Sequence, residues 1–171
     1  MENLFIHSEE VKKELPKESE KFIGIDKEVK RILADAVVKE LALVYCDQEW
    51  VYPAFDQVER DLRVCEKALN DFMESKRAAF PRFHFVSPAD LLDILSNGNA
   101  PAKIMVHMPK IFQAIETLEL KEEGVRPCAV GMHTNVGAEF VPWLTPLKLM
   151  GKVETYMQDV IDNMRSSLKD G

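Results

Sequence analysis

The stretch that decides the fold runs from residue 79 to residue 99 and has the sequence AFPRFHFVSPADLLDILSNGN. Pro81 is expected to end the helix before it, because the residue preceding a proline avoids helical dihedral angles. Ser87 is a favoured helix cap, Pro88 suits a first helical position, and Asp90 follows the cap by three residues. The pattern therefore predicts one helix ending near residue 79 and a second helix beginning at residue 88.

The loop between these two helices is unusually aromatic. It carries three phenylalanines, one histidine and one arginine: Phe80, Phe83, Phe85, His84 and Arg82. So much apolar surface favours a buried plug at the corner between the helices. The alternative is a ligand pocket or a peptide groove. In either case Arg82 is expected to reach a carbonyl at the end of the preceding helix or an acidic neighbour.

Upstream of this loop, apolar residues recur at the helical steps of three and four. The pattern predicts one amphipathic helix over residues 17–45 and another over residues 54–79. The second helix has a heptad-type seam, which packs best against another long helix. The seam consists of Phe55, Val58, Leu62, Cys65, Leu69 and Phe72. Residues 1–79 are thus expected to form a long helical hairpin.

Downstream, residues 80–120 are expected to hold the aromatic loop and shorter helices, with Pro109 breaking a helical pattern over residues 100–118. Residues 121–146 are expected to form one two-stranded β-hairpin that turns at residues 135–137. Thr145-Pro146 resembles a helix start, so residues 147–171 are expected to form the last helix. The predicted fold is mainly α, an elongated antiparallel helical bundle with one small β-hairpin near its C-terminal third.

The composition narrows the possible functions. The chain has 171 residues, 46% of them hydrophobic, and a formal net charge of −7. This charge repels a phosphate backbone, so binding to nucleic acid is not expected. No secretory signal or membrane span is apparent, and the three well-separated cysteines suit reduced thiols better than disulfides.

The sequence carries no motif that is typical of a catalytic site. The sequence contains no GxxxxGK[ST] phosphate loop and no GxGxxG motif, so ATP hydrolysis by this chain alone is not expected. Cys128 and His133 have no second ligand pair near them, and no metal site is predicted. A nucleophilic dyad joining Cys65 or Cys46 to His84 or His107 is disfavoured, because Cys65 lies on the helical seam. We expect no catalytic, cofactor or metal site.

Two aromatic residues on the second predicted strand remain to be explained. Phe140 and Trp143 are expected either to anchor a contact with a partner or to close the hairpin onto the helices. The sequence does not separate these two interpretations.

Long segments of the chain resemble the linker region of axonemal dynein heavy chains. The resemblance is closest at residues 65–77, CEKALNDFMESKR, and in the FPRF run that follows. It also covers residues 4–16, 22–28, Gly131-Met132 and the GKVE at 151–154, and it is weaker over residues 37–52. The LLDILSNGN run resembles ciliary outer-arm chains rather than cytoplasmic ones. The chain ends before any AAA+ ring, stalk or microtubule-binding tip, so it resembles a fragment of such a motor.

The resemblance implies a mechanical role without catalysis. The dynein linker is a rod of helical bundles that lies across the AAA+ ring and moves during the nucleotide cycle. The implied partners are the rest of a heavy chain, namely its AAA+ ring modules and flanking linker bundles, and other dynein subunits indirectly. No nucleic acid and no membrane is implied, and the expected locations are the cytoplasm, the cytoskeleton, and the cilium with its axoneme.

The candidate residues for structural or interaction roles come from the aromatic loop, the capped helix and the hairpin. They are Phe80, Pro81, Arg82, Phe83, Phe85, Ser87, Asp90, Phe140 and Trp143. We expect the aromatic loop to stiffen the lever and the hairpin to touch a neighbouring module. The alternative function is a free-standing helical scaffold, derived from a dynein gene, that binds partner helices through its seam.

Overall fold

The computed structural model describes residues 5–6, 8–39, 42–123, 126–137 and 139–170. The chain divides into two compact units, Met1–Phe72 and Met73–Gly171. The fold is mainly α with a small antiparallel sheet, as the sequence predicts. The arrangement of its helices as an elongated bundle stays a prediction.

The described secondary structure of the first unit is helical, with short turns between the helices. Its elements are α1 (Glu9–Glu14), α2 (Pro16–Lys39), α3 (Ala42–Cys46) and the larger part of α4 (Val51–Ala79). Ser8 caps α1, because its Oγ accepts a hydrogen bond from the Val11 amide at 3.3 Å. The helix predicted over residues 17–45 is found as α2 and α3, and residues 40–41 between them lie outside the described residues.

The predicted seam of α4 is largely buried. Val58, Cys65, Leu69 and Phe72 are buried, whereas Phe55 is exposed. The Cys65 thiol lies 3.7 Å from the Glu18 carbonyl oxygen of α2. The heptad spacing therefore identified residues that pack in the structure. The exposed part of the seam is its N-terminal end, at Phe55.

The second unit begins with the last turns of α4 and continues through a series of short helices. A 3₁₀ turn (Pro81–Phe85) leads to α5 (Pro88–Ser96), which is followed by α6 (Pro101–Ile104), a second 3₁₀ turn (Met105–His107) and α7 (Met108–Ile111). Pro81 and Ser87 end and begin helices as predicted. The helical pattern predicted over residues 100–118 is broken, and Pro109 falls in the first turn of α7, where its missing N–H has no helical partner to lose.

The sheet is larger than the predicted hairpin. Its antiparallel strands are β1 (Ile115–Glu123), β2 (Arg126–Thr134) and β3 (Phe140–Lys148), in the order β1-β2-β3. The two-stranded hairpin predicted for residues 121–146 is therefore wrong, since β1 uses residues that were assigned to a helix. A register shift between Ile115 and Thr117 changes the strand alternation there, so the apolar spacing of three is compatible with a strand.

The turn between β2 and β3 lies where it was predicted, and Gly137 adopts a φ of +81°. The last helix, α8 (Val153–Asp170), starts later than predicted. Thr145 and Pro146 lie in β3 rather than capping a helix, and a proline is tolerated there because β3 is an edge strand. The Leu144 amide of this edge donates a hydrogen bond to Ser167 of α8 at 3.2 Å, so the helix covers part of the open strand.

Burial in the second unit is concentrated under the sheet and around the short helices. The largest fully buried side chains there include Phe80, Phe83, Leu91, Ile94, Leu95, Ile104, Met108, Ile111, Leu149 and Tyr156. No helix within the described ranges is long and apolar enough to cross a membrane.

Candidate functional site

The aromatic turn separates its three phenylalanines into two environments. Phe80 and Phe83 are fully buried, and their rings meet edge to face with centroids 4.8 Å apart. Phe85, by contrast, is 73% exposed. The expected buried plug therefore consists of Phe80 and Phe83, and the expectation is wrong for Phe85.

Arg82 turns from the same segment toward α7. Its Nη1 donates a hydrogen bond to the Ile111 carbonyl oxygen at 3.3 Å, and its guanidinium carbon lies 5.1 Å from the centre of the Phe112 ring. Arg82 thus reaches a helix-terminal carbonyl, as expected, but the helix is α7 rather than α4.

A groove of about 630 Å³ opens beside the aromatic turn, and we call it the turn groove. It is lined by Pro81, Arg82, Phe85, Pro109, Lys110, Ile111 and Gln113. Phe85 and the two prolines supply apolar, conformationally restricted walls, and the charged residues in the lining are both basic. The other interpretation of the aromatic loop, a pocket or peptide groove, thus has a physical counterpart on this side.

Ser87 and Asp90 form the N-terminal cap of α5. The Ser87 Oγ accepts a hydrogen bond from the Asp90 amide at 3.2 Å and donates one to Asp90 Oδ2 at 2.7 Å. Lys110 Nζ lies 2.7 Å from Asp90 Oδ1. The hydrogen bond from Lys110 is the main cause that holds the pKa of Asp90 below its ordinary value, and the hydrogen bond from Ser87 is the second. The cap residue Asp90 therefore also forms an ion pair that joins α5 to α7.

A buried histidine, His107, lies beside the same helix cap. The sequence did not predict its contacts with the carboxylates of α5. His107 is buried, with Nε2 2.8 Å from Asp93 Oδ2 and Nδ1 3.6 Å from Asp90 Oδ1. The sequence had suggested His107 only as a possible base for the thiol of Cys65 or Cys46. Its actual neighbours are carboxylates, and the Cys65 thiol has a pKa raised by burial, which disfavours the thiolate that a dyad requires.

Phe140 and Trp143 also differ in burial, as the phenylalanines of the aromatic turn do. Phe140 is 44% exposed, and its ring centre lies 5.1 Å from that of His133, whose Nε2 is 2.8 Å from Glu119 Oε2. Trp143 is buried, at 7% exposure. Trp143 therefore closes the sheet onto the interior, and Phe140 is the aromatic residue of β3 that is open to a partner.

Phe140 also fits a specific feature of the neighbouring strand. Its ring lies over Gly131, where an added Cβ would come within 2.5 Å of the ring and 2.8 Å of the Val141 backbone oxygen. An aromatic ring covering a strand glycine buries backbone that would otherwise face water. The exposed ring is thus held in one position by the sheet.

A second feature that sequence reasoning missed is a buried ion pair. Lys76 Nζ, near the end of α4, lies 2.8 Å from Glu154 Oε1, in the first turn of α8. Their side chains are 5% and 11% exposed. The two residues are 78 positions apart, so no local pattern could have indicated the pair.

Within the described ranges, no three His, Cys, Asp or Glu side chains are grouped so as to hold a metal ion. Cys128 is buried in β2, while His133 is engaged by Glu119 on the same sheet. The chemistry available at the turn groove and around Phe140 is recognition through apolar, aromatic and charged contacts.

The whole chain is similar to known dynein heavy chains. A family model described as "Dynein heavy chain, N-terminal region 2" matches residues 1–171. The chain is 52% identical over 173 residues to the flagellar outer arm dynein alpha chain of Chlamydomonas reinhardtii, and 38% identical over 172 residues to dynein axonemal heavy chain 17 of Mus musculus. It is 38% identical over 157 residues to cytoplasmic dynein 2 heavy chain 1 of Caenorhabditis elegans. The matches cover 99%, 99% and 91% of this chain, but only 4% of each relative.

Proposed function

Because this chain belongs to the family of dynein heavy chain N-terminal regions, we propose that it is a non-catalytic mechanical segment of a dynein heavy chain. In this role it is part of the linker, the lever that moves across the AAA+ ring during microtubule-based motility of cilia. The observation that carries the proposal is the family match over all 171 residues. The high identity to a flagellar outer-arm chain supports a place in the axoneme.

Two features support a role without catalysis. The sequence has no phosphate-binding loop, and its glycine-containing segment at residues 131–137 continues from β2 into the turn before β3 rather than preceding a helix. ATP hydrolysis would then be the task of AAA+ modules elsewhere in the heavy chain, and this segment would respond to it.

A lever must transmit force without yielding at its joints. In the second unit, the buried Lys76–Glu154 pair ties the end of α4 to the start of α8. The edge-to-face pair of Phe80 and Phe83 fills the corner where α4 ends. Close-packed interiors are poorly compressible, so these contacts support the proposed stiffening role of the aromatic turn.

The proposed contact with a neighbouring module lies on the sheet. Phe140 and Leu144 of β3, with Val136 in the preceding turn, are large exposed apolar residues. We assign these three side chains to the proposed contact surface, because contiguous exposed apolar patches mark interaction sites. The proposed partners are AAA+ ring modules or flanking linker bundles of the heavy chain, with other dynein subunits involved indirectly.

The test uses a complete heavy chain and compares two substitutions of exposed apolar residues. Phe140→Ala removes the proposed contact, whereas Val106→Ala removes an exposed side chain of the same unit that we do not assign to a contact. We expect Phe140→Ala to slow microtubule gliding while basal ATPase activity is retained, and Val106→Ala to change neither. Unchanged gliding and unchanged linker docking in Phe140→Ala would refute the contact.

The buried seam counts against the alternative of a free-standing scaffold. Such a protein would present its heptad seam to partner helices, but Val58, Cys65, Leu69 and Phe72 are already buried in the folded chain. Only Phe55, at the start of the seam, is exposed. The mechanical role therefore remains the function that the chain supports best.

A further inference from the structure

The turn groove has an exposed aromatic residue that the packing of its own unit does not use. Phe85 stays 73% exposed although Phe80 and Phe83, in the same turn, are fully buried. Pro81 and Pro109 stand in the same lining and restrict the backbone on both sides. A rigid apolar wall with an exposed ring is ready to bind, because little conformational entropy is lost when a partner covers it.

The charge of the groove is opposite to that of the chain. The chain carries a net charge of −7, yet the charged residues of the groove lining are Arg82 and Lys110. Lys110 is already paired with Asp90 at 2.7 Å. Arg82 has no carboxylate within ion-pair distance in the described part of the chain, and its hydrogen bond to the Ile111 carbonyl uses one of five N–H donors. The guanidinium is therefore available to a carboxylate from outside.

We propose that the turn groove docks a short acidic peptide segment that carries an aromatic or large aliphatic side chain. The apolar side chain packs on Phe85 between the two prolines, and an adjacent carboxylate pairs with the guanidinium of Arg82. Arginine and aromatic residues dominate the binding energy of many interfaces, and a planar guanidinium holds a carboxylate by two parallel hydrogen bonds. The inference does not depend on the mechanical role proposed above.

The volume and the charge favour this occupant over other classes. About 630 Å³ accommodates a few side chains of a peptide. A nucleic acid carries negative charge along its whole backbone and is repelled by the net charge of −7, whereas a short peptide brings only a few carboxylates to the guanidinium of Arg82. The groove therefore favours a ligand whose negative charge is local and whose remaining surface is apolar.

The test is a binding titration of the whole 171-residue chain in low salt. The probe is a fluorescein-labelled hexapeptide of alternating glutamate and tryptophan, followed by fluorescence anisotropy. The control probe has glutamine in place of every glutamate. We expect the acidic probe to bind with a Kd below about 1 mM and the neutral probe to bind about fivefold more weakly or worse. Added salt should weaken binding of the acidic probe alone.

Two substitutions in the groove are compared with two matched substitutions outside it. Phe85→Ala and Arg82→Gln should each weaken binding of the acidic probe by about fivefold or more. Tyr52→Ala removes another exposed aromatic side chain, and Arg165→Gln removes another exposed arginine. Both variants should bind the acidic probe as the unsubstituted chain does. Because the Phe85 side chain is mostly exposed, its removal should leave the far-UV circular dichroism spectrum unchanged.

Several results would overturn the proposal. They are no binding of the acidic probe up to about 1 mM, equal binding of the neutral probe, or an unchanged Kd in Phe85→Ala. Displacement of the probe by an oligothymidylate at similar concentration would assign the groove to nucleic acid instead. None of these results bears on gliding velocity, so failure here is distinguishable from failure of the mechanical proposal.

Discussion

Lys76→Met should destabilise the second unit far more than any single surface substitution. The change keeps most of the apolar volume of the lysine stem but removes the ammonium that lies 2.8 Å from Glu154 Oε1. Glu154 then remains as a carboxylate with 11% exposure, and its Oε2 already has no hydrogen-bond partner among the described residues. A buried charge that loses its partner keeps the cost of its desolvation.

The size of the effect follows from this geometry. Removing one partner of a buried ion pair costs about 3–5 kcal/mol, whereas replacing both partners with apolar residues is often neutral. With a urea slope of about 1.5 kcal/mol per molar, a loss of about 3 kcal/mol lowers the unfolding midpoint by about 2 M. The double variant Lys76→Met with Glu154→Met should recover most of that loss.

One tryptophan in each unit makes the assay selective. The chain contains two tryptophans, Trp50 in the first unit and Trp143 in the second. In a Trp50→Phe background, fluorescence during urea unfolding reports only on Trp143, which is 7% exposed in the folded chain. The matched control is Arg165→Met, which breaks an exposed pair with Asp162 and should cost less than about 1 kcal/mol.

Two results would refute this reasoning. If Lys76→Met lowers the free energy of unfolding by no more than Arg165→Met does, the buried pair does not stabilise the joint between α4 and α8. If the double variant is as unstable as Lys76→Met alone, the loss comes from altered packing rather than from the unpaired carboxylate of Glu154.

Three further perturbations test the sheet, the helix cap and the thiols. Gly131→Ala should destabilise the second unit by about 1–3 kcal/mol in urea, because the new methyl group would lie 2.8 Å from the Val141 backbone oxygen; an unchanged midpoint would contradict this. Lys110→Met should raise the pKa of Asp90 toward its ordinary value, as measured by carboxyl NMR titration, since the Lys110 hydrogen bond is the main cause of the lowered pKa. The lowered pKa adds stability above the unfolded value of about 4, which is lost as the pH falls through the folded value, so the variant should lose less stability in acid. Cys46 should react with iodoacetamide before either buried thiol, and early labelling at a buried thiol in mass spectra would oppose the burial described here.

Features that depend on neighbouring residues were predictable from the sequence. Pro81 ends α4 and Ser87 caps α5 because each acts on the backbone within about one helical turn. The turn at Gly137 was predictable for the same reason. The heptad spacing of α4 also identified the residues that pack, because that spacing follows directly from helix geometry.

Strand β1 shows where local reasoning failed. Ile115 and Leu118 continue an apolar spacing of three that suits a helix, and the predicted helix therefore extended to residue 118. The segment is a strand because β2 offers backbone partners between Arg126 and Thr134, and register shifts between Ile115 and Thr117 and between Glu119 and Leu120 accommodate the spacing. A strand is stabilised by hydrogen bonds to another segment, so its own sequence specifies it only partly.

The candidate site likewise has features that follow from local sequence and features that depend on distant contacts. The sequence alone determined the family, the helix ends, the aromatic content of the turn and the lack of a phosphate loop, because each is encoded in a short contiguous pattern. Only the tertiary structure decided that Phe83 is buried while Phe85 is exposed, that Trp143 faces inward while Phe140 faces outward, and that Lys76 meets Glu154. Burial and ion pairing depend on which distant segments come together, and residues of the same type in one short run can therefore meet opposite environments.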